Sequence, residues 1–249
     1  MRSLIDIGYT WPWTSGHLVI LAVALLACWL ARKRRWHWLV PTTFGVVALW
    51  ALLAFLVVQL VFRFNDIPPM PTQSFLASGT GRVLDLGAGS GRSSIMVLGE
   101  RPKVTLVALD NFSATYIRDH GPAKLRANLR AAGVDSRAEV QTGDMRSLPF
   151  PDASFDAVIS AYAVDHLDRE GIKSTLQEAA RVLRPRGQIL IQVMYPDPWA
   201  RFAWGPLLFH GSNGGQVKAR WRSNLEAAGF DIMEMGTAPV SLFLLGVKR

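Results

Sequence analysis

Cysteine is nearly missing from this sequence of 249 residues, and acidic residues are fewer than basic ones. The single Cys28 excludes an intrachain disulfide, and no cluster with metal-ligand spacing is visible. Lysine and arginine number 27 against 19 aspartates and glutamates, a formal net charge of +8. The basic residues are scattered among acids except for the run Arg32–Arg35, so the pattern favours a membrane surface over a nucleic-acid partner.

Two long stretches contain no charged residue, namely Leu18–Ala31 and Leu39–Phe62. A membrane-spanning helix needs about 20 apolar residues. The second stretch exceeds that length, and the first reaches it if its helix begins near Trp11. Trp11, Trp13, Trp36 and Trp38 flank the stretches, as tryptophans do at membrane interfaces. We therefore predict a membrane anchor in residues 1–66, with apolar helices over about 11–31 and 39–62.

Two alternatives to this anchor stay open. A cleaved signal peptide requires a basic start and small residues at a cleavage site, whereas Arg2 is offset by Asp6 and the first apolar stretch ends in arginines. A helical pair buried inside a soluble fold is the second alternative. The length of the second charge-free stretch disfavours it.

A glycine-rich turn follows an apolar strand in the segment Val83–Gly91, which reads VLDLGAGSG. Glycines let the backbone turn tightly and approach a ligand closely. A helix that begins at Arg92 would direct its first N–H groups towards a polar or anionic ligand. A dinucleotide-binding motif requires glycine or alanine at position 92, so the arginine argues against that class of site.

From Gly79 to Arg249 the chain resembles the class I S-adenosylmethionine-dependent methyltransferases. Four further segments carry the resemblance, in the order of that family: 104–110 (VTLVALD), 142–145 (TGDM), 148–160 (LPFPDASFDAVIS) and 178–187 (EAARVLRPRG). It implies an α/β fold with a doubly wound, mainly parallel seven-stranded sheet, in which Ser241–Val247 is the antiparallel strand. Arg186 stands where the family has glycine, and we expect a small backbone adjustment there.

The resemblance also implies a division of the chain and a cofactor, S-adenosylmethionine. Residues 79–249 form the methyltransferase domain, and the proline-rich residues 67–78 connect it to the anchor. Asp110 would accept the ribose hydroxyls, Asp144 the adenine amine, and Met145 would pack on the adenine ring. The implied cofactor-binding residues are Asp85, Gly87, Ala88, Gly89, Gly91, Asp110, Asn111, Asp144, Met145 and Ser160.

Two residues are catalytic candidates because the segment 161–168 (AYAVDHLD) resembles the family segment beside the transferred methyl group. His166 is the candidate general base, since histidine titrates near neutral pH. Tyr162 is a candidate contact of the cofactor or acceptor. The alternatives are that His166 only packs on the next helix and that Tyr162 is a half-buried aromatic at a strand end.

The segment Tyr195–Gly211 combines three prolines with many aromatic residues. The prolines argue against a long regular helix, so we predict a surface loop that is a lid over the acceptor or a membrane-contacting wedge. Packing against the sheet edge or the N-terminal helices is the alternative. The candidate acceptor-binding residues are Tyr195, Trp199, Phe202, Trp204 and His210, and they favour a hydrophobic acceptor.

The orientation of the anchor presents a conflict. The positive-inside rule places Arg32–Arg35 in the cytoplasm, and two full spans would then leave the catalytic domain outside, away from cytoplasmic S-adenosylmethionine. Either the hairpin violates the rule, or the first stretch does not span, or both helices enter and leave the same leaflet. We expect a cytoplasmic catalytic domain. The last arrangement is favoured because each arginine near anionic headgroups contributes about 1 kcal/mol.

Together these features predict an integral-membrane methyltransferase that acts on a small hydrophobic or lipid-like acceptor, such as a quinone, phenol, thiol or lipid headgroup. Membrane lipids are its expected surroundings, and nucleic acid is not an expected partner. Two other functions remain open. The acceptor is a side chain of a membrane protein, or the chain is a non-enzymatic membrane scaffold that binds S-adenosylmethionine.

Overall fold

Two long helices precede the sheet in the computed structural model, which describes residues 5–208 and 214–249. Helix α1 covers Trp11–Lys33, and α2 covers Leu39–Val57 and continues as a π-helical turn to Phe62. Helix α1 thus begins at Trp11, the start that a full span requires. Each arm of this hairpin is about 35 Å long at 1.5 Å per residue. The basic run Arg32–Arg35 lies at the end of the hairpin remote from the sheet.

The hairpin buries small side chains and exposes large ones. Its buried positions are mostly alanines, which let helix backbones approach closely: Ala24, Ala31, Ala48, Ala51 and Ala54. Leucines, valines and tryptophans point outwards along both arms. Only 17% and 28% of the most apolar windows of the two arms are buried. Core helices of the same length and composition are mostly buried, so this hairpin differs from them.

The seven strands form one sheet, in the order β3-β2-β1-β4-β5-β7-β6. The strands are β1 Thr80–Leu86, β2 Lys103–Asp110, β3 Ala138–Thr142, β4 Phe155–Ala161, β5 Leu183–Met194, β6 Phe230–Ala238 and β7 Ser241–Lys248. Strands β1 to β5 pair in parallel, and β7 pairs antiparallel with both β5 and β6. The expected doubly wound fold and its antiparallel last strand are confirmed.

Helices cover both faces of the sheet and divide the core in two. Helices α3 (Arg92–Glu100) and α4 (Pro122–Ala131) pack on one face, and α5 (Arg169–Val182) and α7 (Gly214–Ala227) pack on the other. Residues 67–78 are held against the domain, since Phe75 is fully buried and its carbonyl accepts a hydrogen bond from Arg101 Nε at 3.1 Å. Their assignment as a connector stays a prediction.

The loop expected after β5 is wrong for residues 198–208, which form a kinked helix, α6 (Pro198–Leu208). Proline is tolerated in a first helical turn, because its missing N–H would have no partner there. Asp197 caps this turn by accepting the N–H of Ala200 at 2.6 Å. The kink lies at Gly205, with φ +61°. Ala200 and Ala203 pack on α2, which is the alternative that the sequence left open.

Two side chains of the hairpin satisfy carbonyls that the kink in α6 releases. His17 Nε2 donates to the Ala203 carbonyl at 2.6 Å, and Trp50 Nε1 donates to the Phe202 carbonyl at 2.9 Å. Carbonyls at a helix end need such partners, above all where water is scarce. The two hydrogen bonds fix the hairpin to the domain.

Arg186 adopts φ +65° near the start of β5, where the register between β4 and β5 shifts. This is the left-handed region, which glycine adopts without steric cost and in which other residues are strained. The adjustment expected at this position is therefore a positive φ at an arginine, and the parallel pairing of β4 with β5 continues from Gln188.

Candidate active site

A cleft opens at the carboxyl ends of β1, β2 and β4, where the strand order reverses on the two sides of β1. Ligands bind at this position in open α/β sheets. The cleft has a volume of about 350 Å³, which is within the range of small-molecule sites. Its walls come from the turn after β1, the end of β2, residues 113–120, the end of β4 and the residues that precede α1.

The glycine turn forms the floor of the cleft. Gly87 has φ +76°, and a Cβ there would lie 2.2 Å from the Cβ of Ala163. Gly89 has φ +57°. The Gly87 and Ala88 N–H groups donate to the carbonyl of Leu109, which ties the turn to the end of β2. Glycine at position 87 therefore allows Ala163 to pack directly against the turn, and Gly87, Ala88 and Gly89 all line the cleft.

Asp110 ends β2 and lines the cleft, and its side chain is 9% exposed. Its carboxylate accepts the N–H of Gly89 at 2.7 Å and the N–H of Phe112 at 2.5 Å. The two bonds fix the carboxylate, and its remaining lone pairs face the cleft. Asn111 also lines the cleft, and its Oδ1 accepts the N–H and the hydroxyl of Ser113.

His166 and Tyr162 both line the cleft on the side of β4. Tyr162 has φ +54°, a strained conformation of the kind found at functional sites. His166 Nε2 lies 3.4 Å from the hydroxyl of Tyr116, at the long limit of a hydrogen bond, so this nitrogen is available to a better placed donor. Burial raises the pKa of Tyr116 and of Tyr162, so both hydroxyls stay protonated at neutral pH.

A smaller pocket of about 80 Å³ adjoins the cleft and is mostly apolar. Its lining residues are Tyr9, Trp13, Phe64, Arg92, Tyr116, Tyr162, His166 and Met194. Five of them also line the cleft, so the two spaces are continuous around His166. Trp13 belongs to α1, and Phe64 follows α2. This second space, which we name the aromatic pocket, is thus built jointly by the hairpin and the domain.

Residues 83–187 match the family model described as a methyltransferase domain. They contain the glycine turn, Asp110 and His166, which are all on the cleft. The domain is a class I S-adenosylmethionine-dependent methyltransferase.

Curated methyltransferases are among the relatives of the methyltransferase domain. The chain is 36% identical over 106 residues to 24-methylenesterol C-methyltransferase 2 of Oryza sativa subsp. japonica, covering 43% of this chain and 27% of the relative. It is 32% identical over 110 residues to the ubiquinone/menaquinone biosynthesis C-methyltransferase of Dinoroseobacter shibae, covering 44% and 41%. The chain therefore spans less than half the length of these curated relatives.

The fold of the methyltransferase domain is shared with solved structures. An O-methyltransferase family 2 protein from Planctomyces limnophilus, in complex with apigenin, matches 81% of this chain and 60% of its own, with 21% identity and a TM-score of 0.54. At this identity the likeness concerns the fold alone.

S-adenosylmethionine is the cofactor of this family, and the cleft fits it. The turn at Gly87 and Gly89 lines the cleft, and the fixed carboxylate of Asp110 can accept hydrogen bonds from hydroxyls. Met145 lines the cleft as expected for a residue that packs on an aromatic ring. The contacts of each residue with the cofactor stay predictions.

Four of the expected cofactor-binding residues do not lie on the cleft wall. Asp85 lies behind the floor, and Gly91 supports α3, where a Cβ would lie 2.7 Å from Leu125 Cδ1. Asp144 pairs with Arg146 at 2.7 Å, and its side chain is 41% exposed. Ser160 is buried and donates to the carbonyl of Leu86 at 2.9 Å. Their contacts with the cofactor stay predictions.

Asp85 supports the start of α3. It is fully buried, and one of its oxygens, Oδ2, accepts the hydroxyls of Ser93 and Ser94 at 2.7 and 2.6 Å. Burial raises the pKa of its carboxyl from 3.8 to about 6, although the two serine hydroxyls oppose this shift. The ionised form therefore destabilises the folded protein.

The pKa of Asp85 predicts a pH dependence of stability. Because its folded pKa is raised, its stabilising contribution is complete below about pH 4 and is lost as the pH rises through about 6. Asp85→Asn removes this titration. We expect the free energy of unfolding of the wild type, relative to the variant, to fall by up to about 3 kcal/mol from pH 4 to 7. Thermal unfolding of both ligand-free proteins across this range tests it, and parallel curves would contradict it.

Four of the residues expected to bind the acceptor lie in the described part of the chain, and none of these four lines either space. Trp204 comes nearest, since it packs face to face on Phe62 at 4.8 Å and lies behind Trp13 and Phe64. Trp199 and Phe202 are 50% and 39% exposed on α6, which turns them away from the cleft. Tyr195 is partly buried against the core between the sheet and helices α5 and α7, and the Lys218 ammonium lies over its ring. His210 lies outside the described residues.

Proposed function

We propose that the protein is a membrane-anchored methyltransferase that transfers the methyl group of S-adenosylmethionine to a small hydrophobic or lipid-like acceptor at the membrane surface. The observation that carries this proposal is the aromatic pocket. It adjoins the cofactor cleft at His166, its lining is mostly apolar, and Trp13 and Phe64 from the hairpin form part of its wall. An apolar acceptor can reach it along the hairpin.

The outer surface of the hairpin supports the membrane anchor. Large apolar side chains are exposed along both arms, among them Leu25, Leu26, Leu49 and Leu53. Such an apolar surface is unfavourable in water and matches the hydrocarbon core of a bilayer, which is about 30 Å thick. Trp11, Trp36 and Trp38 are exposed at the ends of the hairpin, where tryptophan suits the membrane interface.

Methyl transfer requires three things of the protein: alignment of the reactants, exclusion of water and a proton acceptor. When bound, S-adenosylmethionine supplies an electrophilic methyl group and leaves as the demethylated thioether. The aromatic pocket orients the acceptor and excludes water, which brings the reacting atoms into line. His166 takes the proton that a hydroxyl, thiol or amine acceptor loses as it is methylated. Tyr116 positions the His166 ring through the contact at 3.4 Å.

A methyl-transfer assay on the full-length protein in lipid nanodiscs tests the proposal. The protein is incubated with S-adenosylmethionine that carries a tritiated methyl group and with a membrane lipid extract. We expect label in an organic-extractable small product. Label confined to protein bands would favour the side-chain acceptor instead, and binding of the cofactor without any transfer would favour the scaffold.

A matched pair of tryptophan variants tests the role of the aromatic pocket. Trp13 lines the pocket, whereas Trp11, two residues earlier, is 62% exposed. Trp13→Ala is expected to raise the acceptor KM about tenfold or more, since deletion of a buried aromatic in a binding site typically costs at least 1.4 kcal/mol. Trp11→Ala should leave it nearly unchanged. Equal effects of the two changes, measured as initial rates, would contradict a pocket role.

We also propose that the catalytic domain lies in the cytoplasm, and single-cysteine labelling tests this location. On a Cys28→Ser background, Ser136→Cys places a thiol on the exposed domain surface, and Trp36→Cys places one at the hairpin tip. A membrane-impermeant maleimide added to intact cells should not label the Ser136→Cys protein, and labelling of it would contradict the proposal. The Trp36→Cys protein becomes labelled if the hairpin spans and stays unlabelled if both arms return to one leaflet.

A further inference from the structure

His120 is buried at the edge of the cofactor cleft, although no family motif includes it. It ends the irregular segment between β2 and α4, and its side chain is only 5% exposed. It lines the cleft together with Asp110. Because buried polar atoms are normally hydrogen-bonded, each nitrogen of such a buried ring is expected to have a partner.

The position of the ring determines which nitrogen carries the proton. His120 Nδ1 lies 3.1 Å from the carbonyl oxygen of Ala114, which can only accept, so Nδ1 is the donor. In the neutral ring the other nitrogen, Nε2, is then a hydrogen-bond acceptor. Phe112 packs edge-to-face on the ring at 5.3 Å and holds this orientation.

Nε2 has no hydrogen-bond partner among the residues that the structure describes. Oδ1 of Asp110 lies 3.8 Å from it, which is too long for a hydrogen bond. In this tautomer both atoms are acceptors, so they cannot satisfy each other. A buried acceptor without a donor is costly, and a ligand that brings hydroxyl groups to this place removes the cost.

We propose that His120 and Asp110 together bind the ribose diol of the cofactor, each accepting a hydrogen bond from one of the two neighbouring hydroxyls. This inference rests on S-adenosylmethionine being the cofactor. The family resemblance gives the acid at the end of β2, and the structure adds His120 as a second acceptor in its Nδ1-protonated tautomer. It makes His120 a residue that selects for an intact ribose.

Binding of ribose analogues tests this role directly. Calorimetry on the detergent-solubilised full-length protein compares S-adenosylhomocysteine with its 2′-deoxy and 3′-deoxy analogues, for the wild type and for His120→Phe. We expect the variant to bind S-adenosylhomocysteine about five- to tenfold more weakly, the effect of one hydrogen bond. One of the two deoxy analogues should bind the wild type and the variant within about twofold of each other.

Two further variants separate recognition from packing. His120→Gln places an amide oxygen near the position of Nε2 and should restore part of the discrimination. Phe112→Leu loosens the ring without removing the acceptor, so both hydroxyl effects should persist. If His120→Phe loses affinity for all three ligands equally, or for none, the proposal is overturned. A wild type that binds none of them overturns the cofactor assignment as well, whereas failure to find an acceptor leaves the binding result unaffected.

Discussion

Asp110→Ala is expected to weaken the binding of S-adenosylmethionine at least about 100-fold. The substitution removes the carboxylate and with it the hydrogen bond to a ribose hydroxyl; a hydrogen bond to a charged group contributes about 1.5–3 kcal/mol. The substitution also removes the bonds from the Gly89 and Phe112 N–H groups, which fix the glycine turn and the segment that leads to His120. Calorimetric titration of the full-length protein measures the change.

Two variants calibrate this result. Asp110→Asn keeps the size of the side chain and one oxygen acceptor, so its loss should be smaller, about tenfold. Asp135→Ala removes an exposed carboxylate far from the cleft and should leave the affinity within about twofold of the wild type. An Asp110→Ala protein that remains folded and binds within threefold of the wild type would show that the cleft does not hold the ribose at this acid.

The sequence predicted the cofactor cleft because its key parts are local. The turn from Gly87 to Gly89 and the acid Asp110 each follow a strand directly. In a parallel sheet, residues that follow neighbouring strands meet at one edge. Their positions therefore depend on strand order and hardly at all on distant side chains. Met145 and His166 follow the same rule, and both line the cleft.

The aromatic pocket was beyond prediction because it depends on how the hairpin docks. Tyr9 bridges to Ile117, and the Thr10 N–H donates to the Tyr116 carbonyl at 3.0 Å, which lays the residues before α1 across the cleft. More than 100 residues separate the two partners. In the sequence Trp13 is a tryptophan beside an apolar helix. That pattern indicates a membrane interface as well as it indicates a pocket wall, so it could not identify Trp13 as a pocket residue.

Helix α6 was missed for a different reason. The prolines in the sequence argue against a long regular helix, but Pro198 stands in the first turn, where it favours helix initiation. Gly205 then bends the chain before Pro206. Helix α6 leaves the side chains of Trp199 and Phe202 exposed, and their acceptor contacts stay predictions.

The segment before α1 couples the hairpin to the cofactor cleft. Asp6 pairs with Lys124 at 3.0 Å, and Asn128 Nδ2 donates to the Asp6 carbonyl at 2.9 Å, so this segment is fixed on α4. Ile7 and Tyr9 then line the cleft, and α1 begins at Trp11. In the proposed function, the acceptor and the cofactor meet beside His166, where Tyr9 lines both the cleft and the aromatic pocket.

His166→Gln is expected to lower kcat about 100- to 10,000-fold, the usual effect of removing a general base. Binding of S-adenosylmethionine should stay within about threefold, because Asp110 and the glycine turn are unchanged. Initial rates with saturating cofactor measure the fall in kcat, and calorimetric titration of the cofactor measures its binding.

Tyr116→Phe provides the intermediate case for this prediction. It removes the hydroxyl 3.4 Å from His166 Nε2 and keeps the ring, so kcat should fall about tenfold. His37→Gln, on the connection between α1 and α2, is the matched control and should leave the rate unchanged. A His166→Gln protein with a nearly normal rate would mean that the acceptor reaches the pocket already deprotonated or carries no proton to lose. The aromatic pocket would then act by alignment alone, and the search for the acceptor would turn to carbon, thioether or tertiary amine nucleophiles.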